Sequence, residues 1–328
     1  MNKEFYVAPD ITLWKGRVDN PESGNQYWYQ RIILKNLLTE QIDSTNDKTI
    51  ALIGYAVDEG VTRNQGRAGS SEGPNTVKKT LAKFPAHFSK PVIDFGNIIC
   101  SGNDLENTHL TLEKVLQQIA QKKYFPVVIG GGHDLTFPVF KGIFNEQLKA
   151  KNLRIGIINF DSHFDIRPFE EKANSGTPFY QILALRKEFP AEINYCVIGL
   201  QQQGNTDALF ELANKLGVKY ISNYESDLTN LENIKKKFND FVEQNDYIYL
   251  SIDMDGFSSA YAPGVSAPSP LGFTPFFVIK LLNYFFNTGK VIGMDVAELN
   301  PKFDKDGLTS NLASKLIDIS IQNYFNIK

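Results

Sequence analysis

Six acidic or histidine side chains fall in three short segments whose spacing suits metal binding. In two of these segments, carboxylates or imidazoles occupy every second position, which would place them on one face of an extended chain. Carboxylates packed so closely repel one another unless a cation joins them. In the third segment, an imidazole follows three consecutive glycines. The candidate ligands are His133, Asp161, His163, Asp165, Asp253 and Asp255.

The chemistry of this set favours two ions. Four carboxylates and two imidazoles are more ligands than one catalytic zinc uses, and they suit a pair of hard-to-borderline ions such as Mn²⁺. Two such ions, about 3.5–4 Å apart, can share a water and deprotonate it at neutral pH. A single Asp-x-Asp pair is more often a helix cap or a turn. Three such segments together favour a metal centre. The glycine turn before His133 could also suggest a nucleotide site, but it lacks the spacing of a nucleotide-binding loop.

Each of the three segments follows a short apolar run, and such runs alternate with helical patterns along the chain. Near-continuous apolar runs are typical of strands covered on both faces. The predicted strands are 49–57, 92–98, 125–130, 154–160, 194–200, 218–222, 247–253 and 291–298. The predicted helices are 106–122, 136–149, 206–216, 230–245, 274–287 and 309–323. This alternation predicts an α/β fold with a mainly parallel sheet, and ligands of such sheets bind beyond the carboxyl ends of the strands.

The composition fits one globular enzyme. Of 328 residues, 42% are hydrophobic and 22% charged, which excludes wholesale disorder. The net charge of −3 argues against a nucleic-acid partner, and two cysteines cannot build a disulfide framework. No apolar run reaches the ~18 residues of a membrane span, and the first residues contain no apolar run long enough to predict a signal peptide. We expect a cytoplasmic protein. Its single domain would span residues 1–328, with residues 1–45 as an extension that packs on it. The protein could also form a homo-oligomer.

Four segments together resemble the arginase/agmatinase/formimidoylglutamase family, the ureohydrolases. They are GGGHD (130–134), DSHFD (161–165), SIDMD (251–255) and DVAELNP (295–301). The resemblance implies a three-layer α/β/α sandwich around an eight-stranded, mostly parallel sheet. It also implies two Mn²⁺ ions per subunit at the six candidate ligands, and hydrolysis of a guanidino or formimidoyl carbon. Its two catalytic residues would be Glu298, which holds the substrate's amidine or guanidinium group, and Asp165, which accepts a hydrogen bond from the bridging hydroxide.

Within that family, two loops and one substitution resemble formimidoylglutamase. The loops are APGVSAP (262–268) and the stretch 60–74, which contains Arg63, Asn64 and Arg67. The substitution is the absence of a histidine near Ser175, where arginases and agmatinases usually have one for proton transfer. The resemblance therefore implies hydrolysis of N-formimidoyl-L-glutamate to L-glutamate and formamide, a reaction of histidine degradation.

The distribution of arginines indicates the same substrate. Only seven arginines occur in the chain, and three of them, Arg63, Arg67 and Arg167, lie in the expected substrate-side loops. Arginine binds carboxylates through two parallel hydrogen bonds, and formimidoylglutamate has two carboxylates. We therefore expect these arginines, with Asn64, Ser175 and Glu298, to bind the substrate. Arginase, another guanidino-acid hydrolase and a non-catalytic metal-binding homologue are the alternative hypotheses.

Overall fold

One central sheet of ten strands organises the computed structural model, which describes residues 3–20, 22, 24–169 and 171–327. The strands are β1 (Tyr6–Val7), β2 (Ile33–Leu34), β3 (Ile50–Ala56), β4 (Val92–Ile99), β5 (Phe125–Ile129), β6 (Arg154–Phe160), β7 (Glu192–Leu200), β8 (Lys219–Ser222), β9 (Tyr247–Asp253) and β10 (Val291–Ala297). Their order is β1-β4-β3-β5-β10-β9-β6-β7-β8, and β2 also pairs with β4. Among these ten strands of the described residues, only the pairing of β1 with β4 is antiparallel.

Helices cover both faces of the sheet. They are α1 (Trp28–Arg31), α2 (Glu59–Arg63), α3 (Gly73–Leu81), α4 (Leu105–Gln121), α5 (Thr136–Ile143), α6 (Pro178–Ala184), α7 (Asp207–Leu216), α8 (Leu231–Gln244), α9 (Pro275–Asn287) and α10 (Leu308–Asn326). Alternate residues of β3 enter two different apolar clusters, Ile50 and Leu52 in one, Ala51 and Ile53 in the other. The first cluster includes residues of α3, α8, α9 and α10, and the second residues of α4, α5, α6 and α7. This confirms the three-layer α/β/α sandwich.

The eight predicted strands all occur, but the predicted count of eight is too low. The two additional strands, β1 and β2, have two residues each. A strand of two residues is too short to show an apolar pattern, so the sequence could not indicate them. Helix α5 ends at Ile143, and a separate 3₁₀ turn follows at Gln147–Lys149, where one continuous helix was expected. Among the described residues, no helix is long and apolar enough to cross a membrane.

The N-terminal segment contacts the sheet and the last helix through two tryptophans. The indole of Trp14 donates to Asp94 on β4 at 2.9 Å, and the indole of Trp28 donates to Asp318 on α10 at 2.9 Å. The two indole rings stack with their centroids 6.5 Å apart. Both side chains are buried. These contacts support our proposal that residues 1–45 form one domain with the rest of the chain.

A buried ion pair links helix α3 to strand β4 beneath this segment. The Lys78 ammonium donates to Asp94 Oδ1 at 2.6 Å, to Asn97 Oδ1 at 2.9 Å and to the carbonyl of Gly96 at 3.1 Å. Lys78 is 1% exposed and Asp94 is fully buried. Asp94 also accepts the hydrogen bond from Trp14. All three donor positions of the ammonium are therefore used inside the protein.

Lys78→Met should lower the free energy of unfolding by about 3–5 kcal/mol, because it leaves the Asp94 carboxylate buried without its cation. Urea unfolding followed by circular dichroism measures the change. Lys79→Met is the matched control, since Lys79 lies next to it on α3 but is exposed. Equal stability losses in the two variants would show that the buried pair contributes nothing specific.

Candidate metal centre

The predicted ligands lie at the carboxyl ends of neighbouring strands. Strand β5 leads through the glycine turn to His133, β6 leads to Asp161, and β9 ends at Asp253. Glu298 directly follows β10, which lies between β5 and β9. The turn needs glycine because a Cβ at Gly131 would lie 1.8 Å from the carbonyl oxygen of Val57. The sheet order therefore brings these segments together at one edge, as expected for a parallel sheet.

Six side chains form two adjoining groups, which we call the carboxylate–histidine cluster. In the first group, His133 Nδ1 lies 3.4 Å from Asp161 Oδ2, 3.0 Å from Asp165 Oδ2 and 3.0 Å from Asp253 Oδ2. In the second, His163 Nδ1 lies 3.5 Å from Asp161 Oδ1 and 3.3 Å from Asp255 Oδ2. Asp161 belongs to both groups and turns one oxygen toward each. This arrangement provides two adjacent places for cations with one shared carboxylate.

The buried imidazole of His133 fits a metal ion rather than a further hydrogen bond. Its Nε2 lies 2.8 Å from Ser251 Oγ, and that hydroxyl donates to Asp295 Oδ1 at 2.7 Å. Because Ser251 gives its proton to Asp295, it accepts the proton of Nε2. The lone pair of Nδ1 then faces three carboxylates, and Nδ1 has no hydrogen-bond partner. A metal cation between these groups would satisfy the lone pair and the carboxylates together.

The carboxylates of the cluster shift the pKa of both His133 and Asp253. Burial lowers the pKa of His133, but the carboxylates of Asp161, Asp165 and Asp253 outweigh burial and raise it well above its usual value. Burial, together with the carboxylates of Asp255 and Asp161, raises the pKa of Asp253 well above its usual range. Both shifts reflect surplus negative charge in a site with little water. Bound cations would remove that surplus.

A cavity of about 300 Å³ opens onto the cluster, a size typical of sites for small ligands. Five of the predicted substrate residues contribute to its wall, namely Asn64, Arg67, Arg167, Ser175 and Glu298. The ligands His163, Asp165, Asp253 and Asp255 also line it. Nine of the fourteen described residues of the wall are thus candidate site residues from the sequence, and the other five, Val61, Gln65, Gly66, Ser266 and Ala267, were not singled out.

Glu298 is a buried residue of the cavity wall. It is 5% exposed, and its Oε1 accepts the backbone N–H of His133 at 2.9 Å. Its backbone φ of +65° is in the left-handed region, as is that of Asp165 at +48°, and non-glycine residues in that region are uncommon. Burial and the nearby Asp255 carboxylate raise the pKa of Glu298 to about 8. A cationic group next to Glu298 would favour its ionised form.

Arg67 lies at the rim of the cavity. Its guanidinium donates to the carbonyls of Ser266 at 2.9 Å and Val265 at 2.6 Å, and lies 3.8 Å above the centroid of the Phe303 ring. Its backbone N–H also donates to Ser266 Oγ at 2.8 Å. Arg67 therefore connects the loop after β3 to the segment 262–268.

Arg63 is not brought to the cavity. It ends helix α2, and its guanidinium donates to Glu59 at 2.9 Å and to Glu106 at 2.6 Å. Glu59 lies one helical turn before it, and Glu106 lies at the start of α4. These two carboxylates pair with the cation that we expected to bind substrate. The expectation that Arg63 lies on the substrate side of the site is therefore corrected.

Two residues behind His133 were missed by sequence reasoning. Ser251 and Asp295 are fully buried, and Asp295 accepts hydrogen bonds from Ser251, from Thr136 Oγ1 at 3.1 Å and from the Tyr249 hydroxyl. Together they orient the imidazole of His133. The available signal was that Ser251 lies two residues before Asp253, so that both point to the same face of β9.

Most of the chain is similar in sequence to known proteins of one family. A family model described as Arginase family matches residues 48–321. A formimidoylglutamase of Geobacillus sp. (strain WCH70) is 39% identical over 313 residues, which cover 94% of this chain and 94% of that protein. The crystal structure of formimidoylglutamase from Bacillus subtilis has the same fold, with a TM-score of 0.78, 22% identity, and coverage of 94% of this chain and 97% of that chain. A Trypanosoma cruzi formiminoglutamase with Mn²⁺ gives a TM-score of 0.74 at 24% identity, covering 89% and 98%.

Proposed function

Because this chain belongs to the arginase family, we propose that it is a manganese-dependent hydrolase that converts N-formimidoyl-L-glutamate and water to L-glutamate and formamide. One observation carries the proposal. A single cavity joins the carboxylate–histidine cluster to Glu298 and to a wall that contains Arg167. A carboxylate for the cationic end of a substrate thus faces the same space as an arginine for its anionic end. Relatives that match nearly the whole chain are named formimidoylglutamase.

The cluster would hold two Mn²⁺ ions. His133, Asp165 and Asp253 would bind one ion, His163 and Asp255 the other, and Asp161 would contribute to both. Carboxylate oxygens with one imidazole at each ion suit Mn²⁺ better than softer metals. Metal bound there would lower the pKa of water and so make a hydroxide nucleophile available at neutral pH.

Glu298 would bind and orient the formimidoyl group. A carboxylate forms paired, charge-assisted hydrogen bonds with a planar N–C–N cation. The backbone N–H of His133 holds one oxygen of Glu298, so the carboxylate keeps a fixed direction in the cavity. Held in this way, the substrate carbon faces the cluster, which reduces the entropic cost of attack.

Asp165 would transfer a proton during the reaction. Its carboxylate lines the cavity and also faces His133 Nδ1. From this position it can accept a proton from the attacking water and pass it to the departing glutamate nitrogen.

Arg167 would bind a carboxylate at the other end of the substrate. Among the described residues, no acidic side chain forms an ion pair with Arg167, in contrast to Arg63. Its Nη1 donates to Asn64, and its other N–H groups remain for a ligand. We further propose that the enzyme is cytoplasmic and acts in histidine degradation.

A panel assay of the Mn²⁺-loaded protein tests the function. We expect formamide from formimidoylglutamate and little or no urea from arginine or agmatine. Urea from arginine as the main activity would refute the proposed substrate and retain a guanidino hydrolase. No turnover of all three substrates would refute the enzymatic proposal.

Arg167→Lys should lower kcat/KM for formimidoylglutamate, because an ammonium cannot reproduce the planar fork of a guanidinium. Loss of a charged hydrogen bond costs ~1.5–3 kcal/mol, which is about one to two powers of ten in kcat/KM. Steady-state kinetics measure the change. Arg154→Lys is the control, since Arg154 is half-exposed at the start of β6 and pairs with Glu192. Wild-type kinetics in Arg167→Lys would contradict this role.

A further inference from the structure

Asn64 bridges Arg167 and Ser175 in the wall of the cavity. Arg167 Nη1 donates to Asn64 Oδ1 at 2.8 Å, and Asn64 Nδ2 donates to Ser175 Oγ at 3.0 Å. An arginine side chain can only donate hydrogen bonds. The carbonyl of Asn64 must therefore face Arg167, and its NH₂ group must face Ser175.

This direction determines what Ser175 offers to a ligand. The hydroxyl oxygen of Ser175 accepts the hydrogen bond from Asn64, so its own proton is free to point elsewhere. Ser175 is 7% exposed, and its hydroxyl donates to no acceptor among the described residues. Ser175 also lines the cavity. Its O–H is therefore a donor for a molecule bound there, as are the remaining N–H groups of Arg167.

The backbone holds these three side chains in fixed positions. The N–H of Ser175 and the N–H of Asn64 both donate to the carbonyl of Gly60, each at 3.1 Å. The N–H of Arg167 donates to the carbonyl of Gly176 at 2.9 Å. A Cβ at Gly176 would lie 2.6 Å from Arg167 Nη1 and 3.3 Å from Asn64 Nδ2. The guanidinium thus packs directly against Gly176. A larger residue at this position would displace the guanidinium.

We propose that Asn64 is a positioning residue that makes this wall selective for anionic substrates. It accepts from Arg167 and donates to Ser175, so that both neighbours present only donors to the cavity. Asn64 is neutral, so the charge of Arg167 remains available to a carboxylate. The inference rests on the proposed function, because it defines how the hydrolase recognises the anionic end of its substrate.

Asn64→Asp reverses this arrangement with almost no change in shape. The new carboxylate accepts hydrogen bonds from both neighbours, so the Ser175 proton turns toward it and away from the cavity. The same carboxylate neutralises Arg167. Both changes remove attraction for a substrate carboxylate, and the added negative charge repels it.

The test compares ligands with and without carboxylates. We expect Asn64→Asp to weaken binding of L-glutamate, measured by isothermal titration calorimetry, by about 10- to 100-fold. We expect a similar loss in kcat/KM for formimidoylglutamate, mainly through KM, and little change for N-butylformamidine, which has no carboxylate. Metal content should stay at the wild-type level. Thr62→Asp is the matched control, because Thr62 is an exposed residue of α2 outside the cavity wall and gains the same charge.

Gly176→Ala provides a second variant in case Asn64→Asp folds poorly. The added methyl group meets the mobile end of the Arg167 side chain, so it should displace the guanidinium without unfolding the chain, and glutamate binding should again weaken. Wild-type affinity for glutamate in Asn64→Asp would overturn the inference, as would equal losses on formimidoylglutamate and N-butylformamidine. If the wild type binds glutamate but does not hydrolyse formimidoylglutamate, the proposed function fails, and the binding comparison still decides the role of Asn64.

Discussion

Asp253→Ala should lose bound metal and reduce turnover by more than about a thousandfold, because water that no metal ion activates is a far weaker nucleophile at neutral pH. Asp253 is 2% exposed, and its Oδ2 lies 3.0 Å from His133 Nδ1. Its Oδ1 accepts the backbone N–H of Asp255 at 2.7 Å, which positions the next ligand. The variant therefore removes one ligand and loosens a second. His163→Ala should act similarly through the other group.

Metal analysis after dialysis and formamide release are the two measurements for these variants. Circular dichroism should show that the fold is retained, since the cluster lies beyond the strand ends rather than within the apolar core. Asp240→Ala is the control, because Asp240 is an exposed acid on α8. Full metal content and wild-type activity in both Asp253→Ala and His163→Ala would show that the ligand assignment is wrong.

The location of the cluster could be predicted from sequence because the strands that carry it are buried on both faces. Such strands are mostly apolar, so a charged residue can mark the strand end, as Asp161 does after Phe160. In a parallel sheet these ends all lie at one edge. Eight apolar runs were therefore sufficient to predict which polar residues would meet.

The detailed geometry of the ligands did not follow from the same reasoning. The expectation of period two assumed an extended chain, but β6 ends at Phe160 and Asp165 has a left-handed backbone. Asp255 lies in the 3₁₀ turn Met254–Gly256 rather than in β9. Turns, rather than strand alternation, therefore bring these side chains together. Turn conformations depend on local hydrogen bonds, such as that of the His163 N–H to Asp161 Oδ1 at 2.7 Å.

Arg63 shows why charge clustering in sequence is a weak guide to binding. Its partner Glu106 is 43 residues away in the chain, so the pairing depends on how α2 and α4 pack. Helix α3 was also not predicted, although Gly73 and Pro74 at its start suit a helix N-terminus. In both cases tertiary contacts decide the outcome, and a single sequence does not reveal them.

Glu298 is suited to an isosteric test because its two interactions can be separated. Its Oε1 accepts the His133 backbone N–H, and a glutamine at this position can still accept that hydrogen bond. A glutamine cannot supply the negative charge that a formimidoyl cation requires. It also turns an NH₂ group toward the N–H donors of the substrate. The substitution therefore preserves the local fold and removes only the proposed substrate contact.

Glu298→Gln should keep both metals and lower kcat/KM by roughly 10²- to 10³-fold, because a buried cation without its partner costs about 3–5 kcal/mol. Metal analysis and steady-state kinetics on formimidoylglutamate measure the two properties separately. Glu211→Gln is the control, since Glu211 is an exposed residue of α7. If Glu298→Gln instead loses metal in proportion to activity, Glu298 acts as a ligand or as a support of His133. If it retains wild-type kcat/KM, the cationic end of the substrate binds elsewhere in the cavity.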